Sequence, residues 1–266
     1  MNQNKIAILG CGWLGLPLAK KLISKNFIVR GSTTSKDKIS VLENENIEPF
    51  LITLDKEFDK KNLSQFLKNI DVLIINIPPK IRSNKNVDYY NKIEKILLCD
   101  NCDKINNIIF ISSTSVYGSK QGKINSKTNP IPDTINGIEI LKTEELLKTK
   151  KNTIVRFGGL IGEDRNPLSY LLKKNEVLNP NAPINYIHLE DCIGIIISII
   201  EKNMWGKTYL GVTPYHPTKK EYYDKLCKIR GVKNLIFSKE KTTTNKEIND
   251  NKINEELKYS FKRKNL

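Results

Sequence analysis

The segment Gly10-Cys11-Gly12-Trp13-Leu14-Gly15 sets three glycines in a G-x-G-x-x-G spacing. The chemistry on offer is that of the main chain. The first glycine permits a tight turn, the second lets the backbone approach a diphosphate, and the third lets a helix pack closely on a strand. A helix starting there presents free N–H groups and the positive end of its dipole to phosphate oxygens. The pattern carries weight here through its context. It follows the apolar run Lys5–Leu9 and precedes Leu16–Lys25, where Leu16, Leu18, Ala19 and Leu22 share one helical side. Gly10, Gly12, Trp13, Leu14 and Gly15 are therefore the expected diphosphate-binding residues.

The kind of dinucleotide is read from the end of the second strand. A ribose 2′-hydroxyl is normally held there by an acidic residue about 20 positions on. The stretch Val29-Arg30-Gly31-Ser32-Thr33-Thr34-Ser35-Lys36 contains no Asp or Glu. Four hydroxyls, Ser32, Thr33, Thr34 and Ser35, stand with Arg30, Lys36 and Lys38 close by. Hydroxyls and cations suit a 2′-phosphate, so NADP is the expected cofactor, with NAD the alternative. The same hydroxyls also suit the cap of a following helix. Asp55, after the third strand, fits either an adenine edge or an N-cap. Ile77 and Pro78 end the fourth strand on the carboxyl edge of the sheet, where ligands bind.

The elements that must position these residues alternate in type. Expected strands are Lys5–Leu9, Phe27–Gly31, Pro49–Leu54, Asp71–Ile77, Asn107–Ser112 and Thr153–Phe157. Expected helices lie between them at Leu16–Lys25, Lys38–Glu45, Leu63–Asn69, Val87–Leu98 and Ile138–Lys148. This order predicts an α/β fold: a Rossmann-type, doubly wound parallel sheet with helices on both faces. After Gly158 the pattern loosens. Residues 1–157 read as a dinucleotide-binding domain and 158–266 as a small C-terminal, substrate-side cap. Helices are expected near 167–174, 191–202, 218–230 and 251–257. A strand near 207–212 is expected to return to the sheet.

Composition narrows the classes. The chain of 266 residues can bury a core without staples. No apolar run reaches the 18 residues of a membrane span, and the N-terminus lacks a signal-peptide pattern. Five scattered cysteines argue against a disulfide framework and for a reducing, cytoplasmic setting. Cys99-Asp100-Asn101-Cys102 has C-x-x-C spacing without a second pair or a flanking His, so no metal site is expected. The net charge of +15 raises a nucleic-acid partner. Only six of the 44 basic residues are Arg, however, and the lysines are spread over loops and helix faces. Base recognition leans on Arg. A nucleic-acid partner is thus disfavoured, while a phosphate-bearing small-molecule substrate would profit from the field.

Further along, Ile111-Ser112-Ser113-Thr114-Ser115-Val116-Tyr117-Gly118 resembles the fifth-strand motif of extended short-chain dehydrogenases/reductases, the NAD(P)-dependent epimerase/dehydratase group. Val155–Gly162 resembles the sixth-strand R-x-x-x-[VI]-[YI]-G, Asn185–Asp191 the H-V-x-D segment, and Gly206–Val212 the G-x-x-Y-N-V strand. The resemblance covers nearly the whole chain, in order. It implies that Ser113 is the catalytic hydroxyl and that Ser112, Gly158 and Gly159 line the nicotinamide. It also exposes departures. Aligning Leu141–Leu147 with the family's L-x-x-E-x-L-L run puts Asn136 and Ile140 where the Tyr and Lys of Y-x-x-x-K belong. Neither titrates. Lys142 lies about 200° round the helix from the Lys position. Leu9 replaces the first glycine of the family's G-x-x-G-x-x-G. These features match the atypical branch.

Tyr117 is a candidate catalytic proton donor if its ring faces the nicotinamide, with a substrate group or water as the other candidates. Packing beside the loop with a hydrogen bond to backbone is the favoured reading of this ring. His188 is expected to be structural at a helix start. The resemblance implies an NAD(P)-dependent oxidoreductase or epimerase/dehydratase-like enzyme acting on a carbonyl, carbinol or sugar-type molecule. Loss of the Tyr/Lys pair supports an alternative, a non-catalytic NADP(H)-binding sensor.

Overall fold

The computed structural model describes residues 4–54, 59–79, 88–118, 122–148, 152–239 and 244–264. Asp55 lies outside them. A seven-stranded sheet forms the centre. Its strands are β1 (Lys5–Leu9), β2 (Ile28–Thr33), β3 (Glu48–Leu51), β4 (Val72–Ile75), β5 (Asn107–Ser113), β7 (Asn152–Phe157) and β10 (Thr208–Gly211), in the spatial order β3-β2-β1-β4-β5-β7-β10. Every pairing is parallel. From β1 the chain winds outward through β2 and β3. It then returns to lay β4 on the other flank of β1. The strand order reverses at that point, and it is beyond the strand ends at such a reversal that open α/β sheets receive ligands.

Residue alternation explains the layering. In β1, Ile6 and Ile8 face one core while Ala7 and Leu9 face the other; in β4, Val72 and Ile74 oppose Leu73 and Ile75. Both faces are apolar because both are covered, as a parallel sheet requires. One face carries α1 (Gly15–Ile23), α2 (Lys38–Asn44) and α7 (Leu189–Glu201). The other carries α3 (Lys60–Leu67), α4 (Tyr89–Leu97) and α5 (Ile135–Leu146). The isoleucine run of α7 is buried at Ile195, Ile196, Ile199 and Ile200. Full burial of such a side chain is worth about 1.5–3 kcal/mol. The C-terminal segment folds back over this helix, with Ile253, Leu257 and Phe261 in the same core.

The second half adds pieces that the sequence pattern did not reveal. β6 (Gly122–Ile124) pairs with β11 (Lys246–Ile248), and β8 (Gly159–Ile161) with β9 (Tyr186–His188), each as a two-stranded parallel ribbon. Runs of three residues carry too little periodicity to be seen. The helix expected near 167–174 is the single turn α6 (Leu168–Leu171). The one expected near 218–230 is α8 (Lys219–Arg230), opened by a Thr218–Glu221 capping box and closed by Gly231 at φ +60°. The chain's last helix is α9 (Lys252–Glu256). Leu168, Ile184, Tyr222, Tyr223 and Cys227 form a separate small core under α6 and α8. No helix among the described residues is long and apolar enough to cross a membrane.

Candidate active site

Leu9 and Ile75 are register partners at the ends of β1 and β4, so Gly10 and Asn76 open the crevice side by side. Gly10 has φ +105°, and a Cβ there would lie 2.8 Å from Asn76 O. The turn is pinned from three directions. Gly10 N donates to Ser32 Oγ at 2.8 Å, Cys11 N to Ser32 O at 2.8 Å, and Asn76 Nδ2 to Gly10 O at 2.9 Å. Gly15 is needed because a Cβ would collide with Gly10 O. Gly12 differs: a Cβ there would meet nothing within 4 Å. Among the described residues, the main-chain N–H groups of Gly12, Trp13 and Leu14 find no protein acceptor. Leu14 is buried, and Trp13 stands half-exposed at the rim. Open space, free donors and the start of α1 coincide, which is the form an anion cradle takes. The residues present therefore fit a diphosphate. Cys11 is a filler, not a nucleophile. Its thiol packs where Gly31 lacks a side chain, and burial pushes it up to about 12.

At the end of β2 the expected hydroxyls divide into two pairs. Ser32 is buried and holds Gly10. Thr33 Oγ1 accepts from Ser35 N at 3.1 Å. Thr34 is exposed and Ser35 half-buried, with Lys36 and Lys38 exposed beyond them. Arg30 corrects an expectation. It turns away from the cleft to bind Glu48 Oε2 at 2.8 Å and the carbonyls of Gln65, Phe66 and Lys68 at the end of α3. A guanidinium gains more from a helix's orphan carbonyls and a carboxylate than from open solvent. Ile77 packs against Gly10, and its carbonyl accepts the Tyr89 hydroxyl at 2.9 Å; Pro78 is exposed on the same rim.

The ends of β5 and β7 carry the second half of the crevice. Ser113 Oγ accepts the Ser115 N–H at 3.1 Å, opening a 3-10 turn over Thr114–Tyr117. Ser112 is turned inward rather than into the cleft: its hydroxyl donates to Glu144 Oε1 at 2.5 Å. Tyr117 packs beside the loop and bonds backbone. Its side chain is wholly buried, its hydroxyl donates to Asn125 O at 3.2 Å, and it accepts from Arg156 Nη1 at 2.8 Å. Burial raises its pKa despite Arg156. It is a strut, not a proton donor to a ligand. Gly158 and Gly159 leave room for other groups: a Cβ at Gly158 would lie 2.5 Å from Asn185 O, and one at Gly159 2.5 Å from Tyr186 Cδ1.

No family model matches the chain. It is 30% identical over 235 residues to Protein YeeZ of Escherichia coli (strain K12), covering 86% of this chain and 85% of that one. It is 23% identical over 237 residues to the Uncharacterized UDP-glucose epimerase YtcB of Bacillus subtilis (strain 168), covering 77% and 75%. Its fold superposes with a TM-score of 0.80 on the UDP-glucuronic acid 4-epimerase from Bacillus cereus in complex with NAD, at 22% identity, covering 97% and 94%. The chain belongs with Protein YeeZ to the NAD-dependent epimerase/dehydratase family. The B. cereus epimerase shares the Rossmann-like α/β architecture seen here.

Asn136 and Ile140, the residues that the resemblance aligns with the Tyr and Lys, both lie on α5. Ile140 is 7% exposed, and Asn136 Oδ1 is buried without a hydrogen-bond partner among the described residues. Lys142 pairs with Glu139 at 3.5 Å on the outer side of the helix. His188 is the N-cap of α7, its Nδ1 accepting from Glu190 N at 3.2 Å. Two carboxylates that the sequence shows only as motif positions, Glu144 and Asp191, are wholly buried. Glu144 binds Ser112 and Arg156. Asp191 accepts from Tyr259 Oη at 2.8 Å, Lys262 N at 2.7 Å and Arg263 N at 3.1 Å, tying down the C-terminal segment. Their signal was an acid inside an otherwise apolar helical face. Cys99 and Cys102 are free and buried, and no group of three His, Cys, Asp or Glu among the described residues could hold a metal.

Proposed function

We propose that the protein binds a nicotinamide dinucleotide across the strand ends and acts as an oxidoreductase or epimerase/dehydratase-like enzyme on a sugar-type carbonyl or carbinol. The open space at Gly12, beside unpaired N–H groups at the start of α1, carries this reading. The N–H groups of Gly12, Trp13 and Leu14 would hold the diphosphate. Thr34, Ser35, Lys36 and Lys38 would surround a 2′-phosphate, favouring NADP. When bound, the cofactor supplies hydride transfer at its nicotinamide ring. Gly158 and Gly159, whose missing side chains admit Asn185 O and the Tyr186 ring, would border that ring, and the Ser113 hydroxyl would hydrogen-bond the reacting oxygen. Residues 1–157 supply the cofactor half and 158–266 the substrate-side cap. The small core of Leu168, Ile184 and Tyr222 supports the latter.

The relatives support a sugar-nucleotide substrate. One is named as a UDP-glucose epimerase, and a structural neighbour binds NAD and acts on UDP-glucuronic acid. The net charge of +15 suits a substrate bearing a diphosphate. Five cysteines, all free and buried, suit a reducing compartment such as the cytoplasm. One observation favours a second reading, a non-catalytic NADP(H) sensor: Asn136 and Ile140 carry no titratable group. Hydride transfer decides between the two. The test is turnover of a panel of nucleotide sugars and carbonyls with NADP(H) and NAD(H), for the natural protein and Ser113→Ala. It is read both as coenzyme absorbance and as substrate-to-product conversion by chromatography, because an epimerase or dehydratase returns the hydride and consumes no net coenzyme. The enzyme reading expects turnover that falls in Ser113→Ala with cofactor affinity unchanged. Tight binding with no turnover across the panel favours the sensor.

A further inference from the structure

The glycine loop is gripped from the far side of the cleft. Trp13, between its second and third glycines, donates its indole N–H to Asp164 Oδ1 at 2.7 Å. The Arg165 guanidinium lies over the same ring, 5.0 Å from its centroid. Both residues come from a tight turn after β8, closed by Gly162 N to Arg165 O at 3.0 Å and Arg165 N to Gly162 O at 3.2 Å. Gly162 makes the approach feasible, since a Cβ there would lie 2.8 Å from Trp13 Cζ2. A turn about 150 residues away in sequence is thus seated on the one aromatic side chain of the loop.

Arg165 is the one cation of this turn, which also carries the exposed acids Glu163 and Asp164, the latter tied to Trp13. Residues Gly10–Ala19 contain no Lys or Arg, so the loop itself offers a diphosphate only N–H dipoles. Arg165 is exposed and is brought into contact with that loop. A guanidinium held over a ring by its cation–π attraction keeps N–H groups to donate to anionic oxygens. We propose that Arg165 is a cationic ligand of the dinucleotide's diphosphate, delivered across the cleft by the Asp164–Trp13 hydrogen bond. The inference rests on the dinucleotide reading above and adds to it a contact from the substrate-side half of the chain. Cofactor occupancy and the position of the 162–165 turn are then coupled through Trp13.

Binding of ADP-ribose and of adenosine, measured by calorimetry with tryptophan emission followed in parallel, tests the assignment. Adenosine lacks the diphosphate, and Trp13 is one of only two tryptophans. Arg165→Met is expected to weaken ADP-ribose binding by about tenfold or more, the usual loss for a charge-assisted hydrogen bond, and to leave adenosine unchanged. Arg165→Lys should recover part of the loss. Added salt should weaken ADP-ribose binding more in the natural protein than in Arg165→Met. Equal ADP-ribose affinity in the natural protein and Arg165→Met overturns the Arg165 assignment alone. No binding of ADP-ribose by the natural protein overturns the dinucleotide reading with it.

Discussion

Arg156 grips Glu144 through two hydrogen bonds, Nε to Oε1 at 2.9 Å and Nη2 to Oε2 at 2.6 Å, with both side chains almost wholly removed from water. The pair joins β7 to α5 directly behind Ser112, and Arg156 extends it to Tyr117. A buried ion pair contributes little net stability when intact, because desolvation offsets the attraction. Removing one partner strands the other charge. Arg156→Met or Glu144→Gln is therefore expected to cost about 3–5 kcal/mol, read as a lowered urea midpoint. A change below about 1 kcal/mol would mean that the pair is not the strut described.

The three glycines of the loop are expected to fail differently. A side chain at Gly15 collides with the Gly10 carbonyl, so Gly15→Ala should destabilise the protein by about 1–3 kcal/mol and weaken binding as a consequence. Thermal unfolding of Gly15→Ala beside Gly12→Ala checks the distinction. The latter side chain points into open space and should leave the melting temperature unchanged. Equal melting temperatures for the two variants would remove the separate roles assigned here.

His188 predicts an acid-side loss of stability. Burial, and next Arg263, lower its pKa from the ordinary 6.5, and its Nδ1 must stay unprotonated to accept the Glu190 N–H. The unfolded chain thus binds the proton first. The cap's contribution is complete above about pH 6.5 and is lost as pH falls through the folded value. Urea unfolding on either side of that pH should show a steeper loss in the natural protein than in His188→Asn, which keeps a capping acceptor but does not titrate. Identical pH slopes would contradict the assignment.

Coenzyme choice should turn on Thr34, the exposed hydroxyl at the end of β2. An aspartate there repels a 2′-phosphate and accepts from a 2′-hydroxyl. Thr34→Asp is expected to lower NADP affinity by about tenfold or more while NAD affinity holds or rises. Unchanged affinity for both in calorimetry would place the ribose elsewhere.

Much of the frame was readable because it depends on patterns that repeat. Apolar runs such as Ile6–Leu9 and Val72–Ile75 require burial on both faces, and the spacing of Gly10, Gly12 and Gly15 marks the first turn. Long-range partners were not readable. Arg30 lies near the cleft in sequence but finds Glu48 and the end of α3 in space. Tyr117, beside the cleft in sequence, is consumed by Arg156 and Asn125. The ribbons β6–β11 and β8–β9 join segments more than 20 residues apart through three residues each, below what periodicity can register. Trp13 was legible as a loop residue, whereas its Asp164 partner was visible only once the chain was folded.

The most direct measurement is calorimetric titration of the natural protein and Gly12→Ala with NADP and NAD. One saturable site per chain is expected, tighter for NADP, and weakened by about tenfold or more in Gly12→Ala at an unchanged melting temperature. No binding of either nucleotide by the natural protein, or binding that Gly12→Ala leaves intact, would contradict the account.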